Sequence, residues 1–142
     1  MIENPIPVRW KITLLCVVLP YLLPVLAYGA DTVVLSGVPT TKVESSNNQT
    51  SHFTLPENQK SEFRLLSVKR DGKYFWATRE YRPLLHTVSG AFHYFTELRG
   101  GGYIKVVDRR VLLEEKTPRF LYMEHLTLWL ETLTYWGTAD NP

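Results

Sequence analysis

The sequence predicts a mainly β protein, in which a small antiparallel sheet of two or more hairpins follows an N-terminal signal helix. Three observations support this prediction. The first thirty residues have the pattern of an export signal. Turn signals recur at short intervals from residue 63 onward. The runs between those turns are rich in aromatic and β-branched residues, which favour strands.

Residues 1–29 are predicted to be a signal peptide. Arg9 and Lys11 precede the segment 12–30, which carries no charge, so a basic lead is followed by an apolar centre and small residues. The alternative is an uncleaved anchor, because these nineteen residues would span about 28 Å as a helix. The expected location is therefore exported, either periplasmic or secreted, or else membrane-anchored with residues 31–142 outside the cytoplasm.

Residues 30–62 are predicted to form a polar, flexible spacer. Residues 33–35 are a short apolar run, but the stretch 44–51 contains no apolar side chain and has nothing to bury. The folded unit, a small β-rich domain, is therefore assigned to residues 63–137. Residues 138–142 are predicted to be a tail.

Two β-hairpins are predicted within that unit. The runs 63–68 and 73–78 flank the dipeptide Asp71-Gly72, and Asp-Gly between two such runs is a strong hairpin signal. The second hairpin joins residues 91–98 to residues 103–107 through three consecutive glycines.

Residues 122–136 fit a strand or a helix. Leu126, Leu128 and Leu130 alternate with other residues as a half-buried strand requires, while other apolar residues recur at helical spacing. A strand is favoured because a sheet needs partners for its edges. A C-terminal helix over these residues, which makes the fold α+β, is the alternative.

Composition argues against several classes of function. A net charge of +2 is too small for a protein whose partner is nucleic acid. The single cysteine, Cys16, lies within the predicted signal, so a cleaved chain has no cysteine nucleophile and no thiolate zinc site. No cofactor or metal ion is expected.

The candidate catalytic residues are His93, Glu97 and Glu80. On a strand, His93 and Glu97 point to the same face. Glu80 and Glu97 could act as paired carboxylates on neighbouring strands, as in glycoside hydrolases. These residues define the alternative function, a small cell-envelope hydrolase that depends on a metal or on carboxylates.

Aromatic residues are concentrated in the last eighty residues, and adjacent aromatics must point to opposite faces of a strand. Some rings are therefore predicted to be exposed. We expect an exported, non-enzymatic binding or assembly module, whose aromatic-rich β surface contacts a protein partner, an anionic envelope polymer or a second copy of the chain. Membrane contact is expected only through an uncleaved N-terminal segment. The predicted binding residues are Tyr74, Trp76, Arg79, Tyr81, Arg82, Tyr94 and Trp129.

Overall fold

The computed structural model describes residues 29–112 and 117–141, and the predicted signal segment up to residue 28 lies outside that part. Nine strands and one short helix follow one another in the described ranges, which confirms the prediction of a mainly β fold. No helix in those ranges is long and apolar enough to cross a membrane. The elements are β1 (Thr32–Ser46), β2 (Gln49–Thr54), α1 (Glu57–Lys60), β3 (Leu65–Arg70), β4 (Lys73–Trp76), β5 (Arg82–Ser89), β6 (Phe92–Glu97), β7 (Gly102–Asp108), β8 (Phe120–Leu128) and β9 (Glu131–Asp140).

The sheet closes on itself as an antiparallel barrel. The strand order is β2-β1-β3-β4-β5-β6-β7-β8-β9, and β9 returns to pair with β1. Eight strands, β1 and β3 to β9, form the ring, while β2 pairs with the second half of β1 at residues 41–46. Closure leaves the ring without an open edge strand.

Alternation of side chains determines the interior of the barrel. On β7, Ile104, Val106 and Asp108 are buried while the intervening residues are partly exposed, and β8 shows the same alternation. The interior is therefore packed with side chains from every part of the ring. The buried cluster consists of Leu35, Leu55, Leu65, Trp76, Leu84, Phe95, Ile104, Val106, Phe120, Tyr122, Leu126, Tyr135 and Ala139.

The structure differs from the sequence prediction at residues 30–62, where it places β1, β2 and α1 instead of a spacer. The polar half of β1 has β2 on one side and β9 on the other, with Glu44 opposite both Ser51 and Leu133. Main-chain hydrogen bonds to two neighbours hold a strand whatever its side-chain polarity. The predicted tail differs too, since β9 continues to Asp140.

Both predicted hairpins are present, as β3–β4 and β6–β7. Asp71 and Gly72 join the first with φ values of 50° and 78°, which is the positive-φ pattern of the turn that Asp-Gly favours. Residues 122–136 are strand apart from the turn at Trp129 and Leu130, so the helical alternative is wrong. The reason is tertiary, because β7 and β1 flank this hairpin and satisfy its backbone groups.

Candidate functional site

One end of the barrel, here called the mouth, contains a cavity of about 330 Å³. It lies where the β4–β5 turn, the β8–β9 hairpin and the segment before β3 meet. Volumes of a few hundred Å³ are typical of small-molecule sites. The cavity is lined by Glu62, Phe63, Arg79, Arg82, Leu126, Leu128, Leu133 and Tyr135.

A tight turn after β4 holds the two arginines at the mouth. The Arg82 N–H donates to the Arg79 carbonyl oxygen at 3.1 Å, and the residues between them, Glu80 and Tyr81, have φ values of 54° and 53°. Left-handed backbone costs about 1–2 kcal/mol for a residue with a Cβ. Such strain tends to occur at functional positions.

A hydrogen-bonded network crosses the interior beneath the mouth. Trp76 Nε1 on β4 donates to Glu124 Oε1 on β8 at 3.0 Å, and these strands lie opposite each other in the eight-stranded ring. Arg79 Nη2 contacts the same oxygen at 3.1 Å. Glu124 is 0% exposed, because it occupies an inward position in the alternation of β8.

Three polar atoms in or near this network are buried without a hydrogen-bond partner among the described residues: Arg79 Nε, Tyr122 OH and Glu124 Oε2. Native proteins pair nearly all buried polar groups, because an unpaired one costs about 1–3 kcal/mol. The network therefore retains unused capacity to donate and accept hydrogen bonds.

Burial raises the pKa values of the two acidic groups beneath the mouth, Glu124 and Tyr122. Burial raises the pKa of Glu124 to about 7, against the opposing effects of Arg79 and Trp76. Burial, with a contribution from the neighbouring Glu124 charge, also raises the pKa of Tyr122. Near neutral pH, the Glu124 carboxyl group is thus close to the midpoint of its titration, and the Tyr122 hydroxyl keeps its proton.

Aromatic rings form one wall of the mouth. The Phe63 and Tyr135 rings stack with centroids 5.5 Å apart. Lys42 Nζ lies 5.1 Å from the Phe63 centroid, and the Arg79 guanidinium lies 5.8 Å from the Tyr135 centroid. The wall therefore combines apolar surface with nearby cations.

A second cavity of about 400 Å³ adjoins the mouth through Arg82, and it brings Glu80 and Glu97 together as lining residues. Glu80 is exposed. Glu97 accepts hydrogen bonds from the backbone N–H groups of Arg99 and Gly101 at 3.0 and 2.6 Å. The Glu97 carboxylate thereby holds the turn between β6 and β7.

The structure pairs His93 with another histidine. His93 lies on the same face of β6 as Phe95 and Glu97, and its Nδ1 lies 3.2 Å from His86 Nε2. The His86 ring stacks on Phe95 with centroids 4.3 Å apart. Burial lowers the pKa of His86, with help from the charges of His93 and Lys69. Among the described residues, no three His, Cys, Asp or Glu side chains are grouped as a metal site requires.

The seven predicted binding residues do not lie on one surface. Trp76, Arg79 and Arg82 meet at or beneath the mouth. The other four lie in separate places. Tyr74 packs beside His86 with ring centroids 4.9 Å apart, and the Tyr81 hydroxyl donates to Asp31 at 2.9 Å. The Tyr94 ring centroid lies 5.6 Å from Lys105 Nζ, and Trp129 is exposed at the β8–β9 turn.

The predicted catalytic and binding residues do not include Glu124, Tyr122, Phe63 or Tyr135. A signal for Glu124 was present, because it is the charged member of the alternating set Phe120, Tyr122, Glu124 and Leu126. A carboxylate on an otherwise apolar strand face indicates a buried polar site.

Comparison of the chain with protein-family models, with curated proteins and with solved structures finds no match. Its function is therefore inferred from the geometry of the mouth.

Proposed function

We propose that the protein is an exported, non-enzymatic binding module that takes a small amphiphilic anion at the mouth of its barrel. The observation that carries this proposal is the state of Arg79. Its side chain lines the cavity, yet its Nε is buried and has no acceptor among the described residues. The Arg79 side chain as a whole is 23% exposed, so a small turn of its guanidinium group toward the cavity would let Nε donate to a bound anionic oxygen. Charge-assisted hydrogen bonds are the stronger kind and would favour that turn.

Arg82 adds a second guanidinium group. Its side chain is 37% exposed, and its contact with Glu80 spans 4.0 Å, so this ion pair leaves the group available to a ligand. Planar guanidinium groups suit carboxylates because they can donate two parallel hydrogen bonds. The anionic group is therefore expected between Arg79 and Arg82.

Apart from Glu62, the rest of the cavity suits an apolar body. Leu126, Leu128 and Leu133 line it together with the Phe63 and Tyr135 rings. A volume of about 330 Å³ corresponds to about eleven water molecules at about 30 Å³ each. It can thus hold a ligand of about ten non-hydrogen atoms, such as a medium-chain carboxylate.

The binding test compares octanoate with octanol and octylammonium by isothermal titration calorimetry. Octanoate should bind at least about tenfold more tightly than the other two, because only its carboxylate pairs with the arginines. Arg82→Met should weaken octanoate binding about tenfold at an unchanged melting temperature, since this side chain lies at the rim.

The matched control is Arg110→Met, which removes an exposed guanidinium group from the β7–β8 connection. It should bind octanoate like the wild type. Absence of binding by all three compounds would contradict the proposed function. Equal binding of all three would contradict only the preference for an anion.

Export rests on the signal pattern of residues 1–29. The protein recovered from its native host should have an N-terminus at Ala30, as read by mass spectrometry. An intact N-terminus on membrane-bound protein would instead support the anchored alternative.

The small cell-envelope hydrolase remains the second candidate, because Glu80 and Glu97 line one cavity. Glu80→Gln is the informative variant, since Glu97 also holds the β6–β7 turn through two backbone hydrogen bonds. Turnover of a glycoside or ester panel by the wild type, lost in Glu80→Gln, would favour the hydrolase. The binding proposal expects no turnover from either protein.

A further inference from the structure

The tip of the β8–β9 hairpin exposes three consecutive apolar residues, Leu128, Trp129 and Leu130, here called the apolar tip. Their exposed fractions are 38%, 102% and 81%. Isolated exposed apolar side chains are common on protein surfaces, but contiguous ones usually mark an interaction site. The Trp129 indole in particular gains nothing from packing within the fold.

The backbone at the tip has an unfavourable conformation at the exposed residue Trp129. Leu128 pairs with Glu131, so Trp129 and Leu130 form a two-residue turn. Of these two residues, only Trp129 has a positive φ, 52°. A hairpin turn with this pattern favours glycine at its first central position, because a bulky side chain there is uncommon. Strained residues of this kind tend to occur where the side chain has a function.

We propose that the apolar tip inserts into the headgroup region of a lipid bilayer. Tryptophan favours that region because its ring is apolar while its N–H can remain hydrated. The segment 126–134 contains no lysine or arginine and has one acidic residue, Glu131. The tip itself therefore attaches by apolar insertion and contributes no basic group that would bind anionic lipids.

The position of the tip favours a membrane over a protein partner. The surface area of three residues is far smaller than the roughly 1,200–2,000 Å² of total surface that stable protein interfaces bury. Leu128 also lines the mouth, with Leu126 and Leu133 behind it, so apolar surface continues from the tip into the cavity. A bilayer that contacts the tip would thus lie next to the mouth, where amphiphiles leaving the membrane could enter.

This inference is independent of the proposed ligand, because it depends on exposure and backbone conformation at the tip. The test uses the full chain labelled with 5-fluorotryptophan and phosphatidylcholine vesicles that contain a spin-labelled lipid. The fluorine resonance of Trp129, identified by its absence in Trp129→Gly, should broaden on addition of the vesicles. The resonance of Trp76, which is fully buried, should not. An unaffected Trp129 resonance would overturn the proposal and favour a protein partner for the tip.

Trp129→Gly also tests whether the indole ring contributes to the free energy of membrane binding. Glycine suits the positive φ, so this variant should have an equal or higher melting temperature. Its vesicle partition coefficient should fall at least about tenfold at both low and high salt. The control Leu85→Ser removes an apolar side chain that is 54% exposed on β5, and it should partition like the wild type. All variants keep residues 1–28, so any contribution of that segment cancels. Equal partitioning of Trp129→Gly and the wild type would also overturn the proposal.

Discussion

The two ends of the barrel each bury an inward-facing carboxyl group, and the two groups have opposite properties. Glu124, beneath the mouth, is 0% exposed, and Asp108, at the far end of β7, is 4% exposed. Burial raises the pKa of Glu124 to about 7. Hydrogen bonds from Arg119, aided by the Arg110 N–H, lower the pKa of Asp108 against the effect of burial.

The difference has two physical sources: Glu124 lies deeper in the interior, and Asp108 has more hydrogen-bond donors. Arg119 Nε donates to both oxygens of Asp108 at 3.1 Å, and the Arg110 N–H adds a bond of 3.0 Å. Glu124 receives its bonds on Oε1, and its Oε2 has no partner among the described residues. The buried carboxyl group at the far end therefore has hydrogen bonds to both of its oxygens, while the mouth retains unpaired polar groups.

The largest expected effect is the pH dependence that Glu124 imposes on stability. Its folded pKa of about 7 exceeds the ordinary value of 4.5, so between these values the folded state binds the proton more tightly than the unfolded state. The free energy of unfolding should therefore fall as pH rises from about 4.5 to 7, by up to about 3 kcal/mol. Glu124→Gln should abolish this fall and leave only the rise with pH that the lowered pKa of His86 imposes, as measured by urea unfolding across that range.

The matched control for that experiment is Glu131→Gln, an exposed position on the same hairpin. It should keep the slope of the wild type. If Glu124→Gln also kept it, the contrast between the two ends would not hold.

A smaller effect on stability is expected from adding a methyl group next to the Tyr122 ring. A Cβ on Gly37 would lie 2.6 Å from Tyr122 Cε1, so Gly37→Ala should overpack the interior and lower the free energy of unfolding by about 2 kcal/mol. Chemical denaturation measures the change. The control Gly90→Ala meets no atom within 4 Å, and it should lose only about 1 kcal/mol through its φ of 57°. Equal losses in the two variants would show that Tyr122 can move.

The smallest effect is expected at the opposite end. The lowered pKa of Asp108 means that its contribution to stability is present above the ordinary value of 3.8 and is lost as pH falls through the folded value. Asp108→Asn should slightly lower stability at neutral pH and flatten the acid limb of the unfolding curve. The partner Arg119 is 41% exposed, so solvent screening limits the change. Octanoate binding at the mouth should be unaffected, and weaker binding would contradict the separation of the two ends.

Part of the candidate site could be named from the sequence. Trp76, Arg79 and Arg82 were predicted as binding residues because they belong to an aromatic and basic run. Glu124 was not, because its burial depends on β4 and β8 facing each other across a closed ring. Trp76 was expected on a surface, yet it is fully buried for the same reason.

The sequence by itself determined the two hairpins between residues 63 and 107, because alternation and dipeptides such as Asp71-Gly72 act over a few residues. Only the tertiary structure decided that the sheet closes, that residues 30–62 contribute strands to it, and which polar groups are buried. Closure pairs Ser36 with Asp140, about one hundred residues later in the chain. Pairings of that separation leave no periodic signal in a single sequence, because they depend on the whole ring forming together.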